Sequence, residues 1–173
     1  AASVVNFAVE VPIKEKYSVL YEHHCPWWLW GGNKYCIELL SFGGEFRWWF
    51  KPQETPTRSK QLLRDELAGH FVGVYGWGGI GDFQWGRDFG CYQFDFWSAG
   101  LTYGYSKPIG KKLNLEFSIS AGYANIPYKH YVPSDDWEFL VRDPMKEGTL
   151  KYLGITKIQI SLVMPIQFKW RGK

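Results

Sequence analysis

The sequence predicts an all-β protein, a small antiparallel transmembrane β-barrel. Three observations carry that expectation. Residues 112–123 alternate without a break: Leu113, Leu115, Phe117, Ile119, Ala121 and Tyr123 against Asn114, Glu116, Ser118, Ser120 and Gly122. Successive strand side chains point to opposite faces, so this segment has one apolar face and one small, polar face. The 173 residues include 33 aromatics and 19 glycines, a pairing that suits tight-turned strands with interfacial rings and suits helices poorly. Only ten of the chain's 37 charged residues fall in the strand segments set out below, which make up about half of it.

The elements follow in order. A first strand, 5–13, sets Phe7, Val9, Val11 and Ile13 against Asn6, Ala8 and Glu10. Lys14-Glu15-Lys16 turns the chain into a second strand, 17–25, that carries Val19 and Tyr21. The third, 35–50, is apolar at Leu40, Phe42, Phe46, Trp48 and Phe50, with Glu45 and Arg47 opposite. Pro52 and Pro56 open a longer connection in which 59–67 is expected to form a short helix, stopped by Gly69. The fourth strand, 71–81, is rich in glycine and its facing is ambiguous. The fifth, 92–107, places Trp97, Ala99, Leu101, Tyr103 and Tyr105 opposite Ser98, Gly100, Thr102, Gly104 and Ser106. A tight turn at Pro108–Lys111 leads into the sixth, 112–123. After a polar excursion, 127–150, the seventh strand runs from 152 to 168, with Ile158, Ile160 and Leu162 on its apolar side. The whole chain, 1–173, reads as one domain.

Short turns near 13–17 and 107–112 alternate with longer connections near 25–35, 82–91 and 127–151. That is the habit of outer-membrane barrels, with periplasmic turns and extracellular loops. The 51–69 segment is the exception and reads as a periplasmic appendage. No run of about 18 apolar residues is present, so no transmembrane helix is expected, and no signal segment is visible. The net charge of +3 does not single out nucleic acid as a partner.

Two soluble architectures also alternate, a lipocalin-like barrel and a β-sandwich. Both bury the apolar face and should spread charge freely over the other. Here the second face is mostly Gly, Ser, Ala, Thr and Asn. A narrow barrel interior needs such small residues, and its few charges must pair. Glu10, Glu45, Arg47, Glu116 and Lys157 all fall on that face and are expected to form a paired lumen network. Aromatic girdles are expected at Trp48, Trp49, Phe50, Tyr103, Tyr105, Phe168 and Trp170, and toward the other end at Tyr123, Tyr128 and Tyr131.

The chain has three cysteines. Cys25 and Cys36 bracket a Trp-rich, turn-forming segment, and a hairpin loop there would bring them close enough for a disulfide worth roughly 3 kcal/mol. The alternative is two unpaired thiols at strand ends. No metal or other cofactor is expected, because no second Cys/His pair sits at ligand spacing.

Several strings carry a family resemblance: Asn6–Ile13, Pro26-Trp27-Trp28, Trp97–Tyr105, Leu113–Ser118 with Gly122-Tyr123, and Tyr152–Ile158. Together they resemble an uncharacterised outer-membrane β-barrel family of Bacteroidota, a domain of unknown function. The resemblance spans nearly the whole chain. It implies an eight-stranded barrel, with some members encoded near fimbrial or other surface-assembly genes, and supplies no catalytic residues. Members usually begin with one more strand, so a first strand is expected to be missing here, or to be replaced by residues 1–5 or a partner segment.

The expected role is structural: an accessory outer-membrane subunit that is not an enzyme, with both chain ends periplasmic. Its expected partners are outer-membrane lipids and other outer-membrane or surface proteins. Eight strands leave an interior filled by side chains, so contacts should be made by loops. Trp27, Trp28, Trp30 and Trp137 are the contact candidates. Two other classes stand beside this one. A lipid-modifying enzyme could draw on His23, His24, His130, Ser134, Asp135 and Asp136, although no nucleophile motif supports it. A soluble lipocalin-like binder is the third.

Overall fold

The computed structural model describes residues 2–14, 16–32, 34–50, 67–86, 89–109, 113–134, 139–164 and 166. Eight strands form one antiparallel sheet: β1 (Ala2–Lys14), β2 (Tyr17–Trp30), β3 (Tyr35–Phe50), β4 (Gly69–Trp85), β5 (Cys91–Ile109), β6 (Leu113–Pro133), β7 (Leu140–Arg142) and β8 (Gly148–Val163). Pairing follows chain order from β1 to β6, after which β6 carries both the short β7 and the long β8. The only helical element among the described residues is a 3-10 turn, Pro144–Lys146, capped by the Asp143 carboxylate accepting from the Met145 amide. Most of the segment expected as a helix, 59–67, lies outside the described residues, as do Trp137, Phe168 and Trp170.

The sheet is rolled and open. β1 and β8 are its edges, and no ladder joins them among the described residues. Yet Lys157 on β8 donates to Glu22 on β2 at 2.6 Å, and Tyr75 on β4 meets Thr156 on β8. Contacts between strands so far apart in the sheet require one face to curl on itself. Because seven long strands alternate in direction, β1 and β8 run the same way. Residue 2 therefore lies beside Trp28 at one end of the sheet, while β8 finishes at the other.

Alternation assigns the faces. Phe7, Val9, Phe46, Val74, Leu101 and Ile160 are exposed on the outer face, and Ser18, Glu45, Thr102, Asn114, Glu116 and Ser120 are buried on the inner one. A register shift in the β6–β8 ladder breaks the pattern. Ser120 faces Lys157 but Ala121 faces Ile155, so Thr156 is an extra residue in β8. This bulge reverses parity along β8, so Lys157 and Gln159 point inward below it and Tyr152 and Leu150 above it.

The strands are longer than the sequence pattern suggests. β2 runs on through the Trp-rich segment to Trp30, and β6 continues to Pro133 through most of what reads as a polar excursion. The extension corrects the expected disulfide. Cys36 lies opposite Leu29, four residues beyond Cys25, so the two cysteines are not hairpin partners. Cys25, Cys36 and Cys91 are all free thiols.

At the end opposite Trp30, Trp49 and Phe71 pack at 4.6 Å between ring centroids and bury Leu67. The Asn114 side chain donates to the Leu67 carbonyl at 3.0 Å. Trp49 is thus core and no part of a girdle. A Cβ added at Gly104 would overlap the Phe71 ring. Gly104→Ala is expected to destabilise by about 1–3 kcal/mol through overpacking. Gly76→Ala, with nothing within 4 Å of the added carbon, should stay within about 0.5 kcal/mol. Urea unfolding of the two variants checks the contrast.

Candidate functional site

The inner face is built in layers. Above the Trp49–Phe71 floor, Arg47 projects inward from β3 and is 1% exposed. Its Nη1 lies 3.0 Å from Glu10 on β1 and 3.1 Å from Glu116 on β6, and its Nε lies 3.0 Å from Glu45 on its own strand. The guanidinium also sits 4.3 Å above the Phe71 ring. Two hydroxyls complete the set: Ser18 donates to Glu10, and Thr102 donates to Glu45 at 3.2 Å. Three carboxylates around one guanidinium leave an acidic excess, and these hydroxyl donors help to spread it.

Of the five lumen candidates, the structure brings together Glu10, Glu45, Arg47 and Glu116. Lys157 is placed apart. It belongs to the next layer, where Glu22 accepts from Lys157 at 2.6 Å and from Gln159 at 2.7 Å. Glu22 is a partner that the sequence reading omitted. Parity could have supplied it, since Val19 and Tyr21 point outward and Glu22 must oppose them. Lys157 Nζ also lies 5.1 Å from the Trp77 ring, against which His24 packs.

Higher still, the two faces exchange character. Inward positions become Ile37, Leu39, Phe83, Phe94, Phe96 and Ile126. Outward positions, apolar until here, become Glu38, Asp82, Gln93, Asp95, Asn125 and Lys129. The exchange happens in all four strands, β3 to β6, without any register shift between them. Tyr128, expected in a girdle, therefore points inward and packs against Tyr92 at 5.9 Å.

The contact candidates divide across this boundary. Trp27 is on the outer face opposite Glu38. Trp28 and Trp30 are on the inner side of the rim, where Trp30 stacks on Tyr35 at 5.4 Å and meets the edge of Trp85 at 6.1 Å. An aromatic collar continues from Trp85 through Phe83 and Phe89 to Tyr92. In the loop above, Arg142 forks onto Glu147, and this hydrogen bond holds the Glu147 carboxyl below its ordinary range.

The residues considered for catalysis are scattered. His23 is on the outer face against Phe7, and His24 is on the inner face. His130 is buried, with Nε2 at 2.9 Å from the Phe89 carbonyl and Nδ1 at 3.5 Å from Asp143. Ser134 Oγ accepts from the Phe139 amide at 3.3 Å. Asp135 and Asp136 lie outside the described residues. The described His, Cys, Asp and Glu side chains form no group that could hold a metal.

No curated protein and no solved structure matches this chain. A family model does match, over residues 1–166, and it describes a protein of unknown function. That span covers both the Arg47 cluster and the polarity exchange, so the chain belongs to the DUF3575 family.

Proposed function

We propose that this chain is a bacterial outer-membrane β-barrel, an accessory subunit that contacts other surface proteins through its loops and rim. The observation that carries the reading is the boundary on the outer face. Below it the outward side chains are apolar and exposed; above it they are charged or amide-bearing. The outer apolar run Leu113–Tyr123 climbs about 33 Å along its strand, or about 25 Å once tilted by about 40°, which is the height of a barrel's lipid-facing band. Leu40, Ile80 and Trp97 are each the last apolar residue of their strand before the acidic or amide side chains begin. Along the hydrogen-bonded rows Leu40 and Ile80 are level with each other, but Trp97 is not. An oblique boundary is what tilted strands crossing a flat interface would produce.

The open seam fits the same reading. Two edges that run the same way accept one further strand between them, antiparallel to both, which would bring the seven long strands to eight, the even number usual in bacterial barrels. A neighbouring chain segment or a partner protein could supply it. With the β8 end periplasmic, the collar of Trp30, Tyr35 and Trp85 faces outward from the cell, where partners would be met.

Membrane extraction tests this. The protein should remain in the outer-membrane fraction through carbonate washing, enter detergent, and migrate differently on gels before and after boiling. A protein that stays in aqueous solution without detergent, with no heat-dependent shift, would overturn it.

A further inference from the structure

Above the Glu22–Lys157 layer the inner face encloses an apolar cup. A cavity of about 360 Å³ is bounded by Leu39, Trp77, Phe96, Ala124, Ile126 and Tyr152. It adjoins, at Ile126, a wider opening of about 690 Å³ lined by Phe83, Phe94, Leu150 and Lys146, whose ammonium pairs with Asp143. The lower of these is within the size range of small-molecule sites.

The floor of the cup is polar and already paired. The Tyr75 hydroxyl meets Thr156 Oγ1 at 2.5 Å, and Thr156 reaches the Ser120 carbonyl at 3.3 Å. Lys157 is held by Glu22 and capped by the Trp77 ring. Charge then decides what can enter. An anion would be lowered toward four carboxylates, Glu10, Glu22, Glu45 and Glu116, faced by two cations, Arg47 and Lys157. A cation would meet the Lys157 ammonium first. On an apolar lining either charge would give up water contacts, while Tyr75, Thr156 and Lys157 are already engaged with other groups. An apolar lining above a floor whose Tyr75, Thr156 and Lys157 already have partners favours a neutral molecule.

We propose that the cup is a binding site for one small neutral apolar molecule, an alkyl chain or aromatic ring system with at most a hydroxyl head. This rests on the barrel reading, which places the cup at the water-facing end, above the lipid. There the ligand would enter past the collar of Trp30, Trp85 and Tyr92.

The test uses the full chain in lipid nanodiscs with the neutral fluorophore N-phenyl-1-naphthylamine, against empty nanodiscs. Wild type should show saturable binding at one site above the lipid background. Dodecanol should displace the probe at least tenfold more effectively than dodecanoate or dodecyltrimethylammonium. Ala124→Trp and Ser98→Phe, which fill the cup, should each weaken binding at least tenfold. Leu153→Trp, on the outer face, should leave it unchanged. The heat-dependent gel shift is read on every sample and separates the two ideas. Absent saturable binding, or binding that survives both filling variants, would overturn the cup while a retained shift leaves the barrel standing. Loss of the shift in wild type would overturn both.

Discussion

Replacing Arg47 by Met is expected to destabilise the protein by about 3–5 kcal/mol, the usual consequence of removing one partner from a buried ionic group. The guanidinium is almost inaccessible and is the cation that touches Glu10, Glu45 and Glu116. Its removal leaves three carboxylates facing one another across the inner face, with the Ser18 and Thr102 hydroxyls donating to Glu10 and Glu45. It also takes the cation from the Phe71 ring, loosening the floor. Because Glu10 and Glu116 come from β1 and β6, their repulsion would push apart strands that Arg47 draws together. Arg47→Lys should recover part of the loss, because it restores charge without the fork that reaches three acids. Combining Arg47→Met with Glu10→Gln and Glu116→Gln should recover more. Urea unfolding from lipid vesicles, followed by tryptophan fluorescence, measures the series. An unchanged midpoint for Arg47→Met would show that the cluster contributes no stability.

The sequence made the lower two-thirds of the sheet legible and hid the upper third, for one physical reason. Alternation with small polar partners at 113–123 marks a strand whose apolar side faces outward. The same alternation continues through Ala124, Ile126, Tyr128 and His130 against Asn125, Pro127, Lys129 and Tyr131. There the apolar members face inward, so the run reads as a loop to anyone expecting one constant facing. The Trp-rich segment of β2 was concealed for another reason, large apolar side chains on both faces at Trp27 and Trp28 with no alternation to read, and with it the separation of Cys25 from Cys36. The Thr156 bulge marks the sequence as a switch of apolar parity, from Leu153 and Ile155 to Ile158 and Ile160, which a reading that took its apolar side from Ile158, Ile160 and Leu162 does not meet. Five of the six inner charges, all but Glu22, were placed on the inner face because parity depends only on neighbours. The Lys157–Glu22 pairing was not legible, because it crosses the rolled sheet and depends on how tightly the sheet curls.

The second large effect concerns the boundary itself. Leu101→Arg is expected to destabilise by about 2–4 kcal/mol, the range for a cation on the lipid face near the bilayer midplane. Leu101 is 66% exposed, midway between Trp97 and Tyr105 on the outer face of β5. In a water-soluble protein so exposed a residue would accept arginine within about 0.5 kcal/mol. Gln93→Arg supplies the comparison on the same strand and the same face. Gln93 is also exposed, but it lies beyond the polarity boundary, among Asp82 and Lys129. It should accept arginine at about 0–1 kcal/mol, as positions near or past the interface do. Both variants add one cation to one strand, so propensity and net charge cancel in the comparison. What remains is the medium each side chain meets. Folding free energies measured in lipid vesicles should therefore separate the pair by at least about 1 kcal/mol. Equal values would mean that the outer face meets one solvent along its whole length, which a membrane-spanning sheet cannot do.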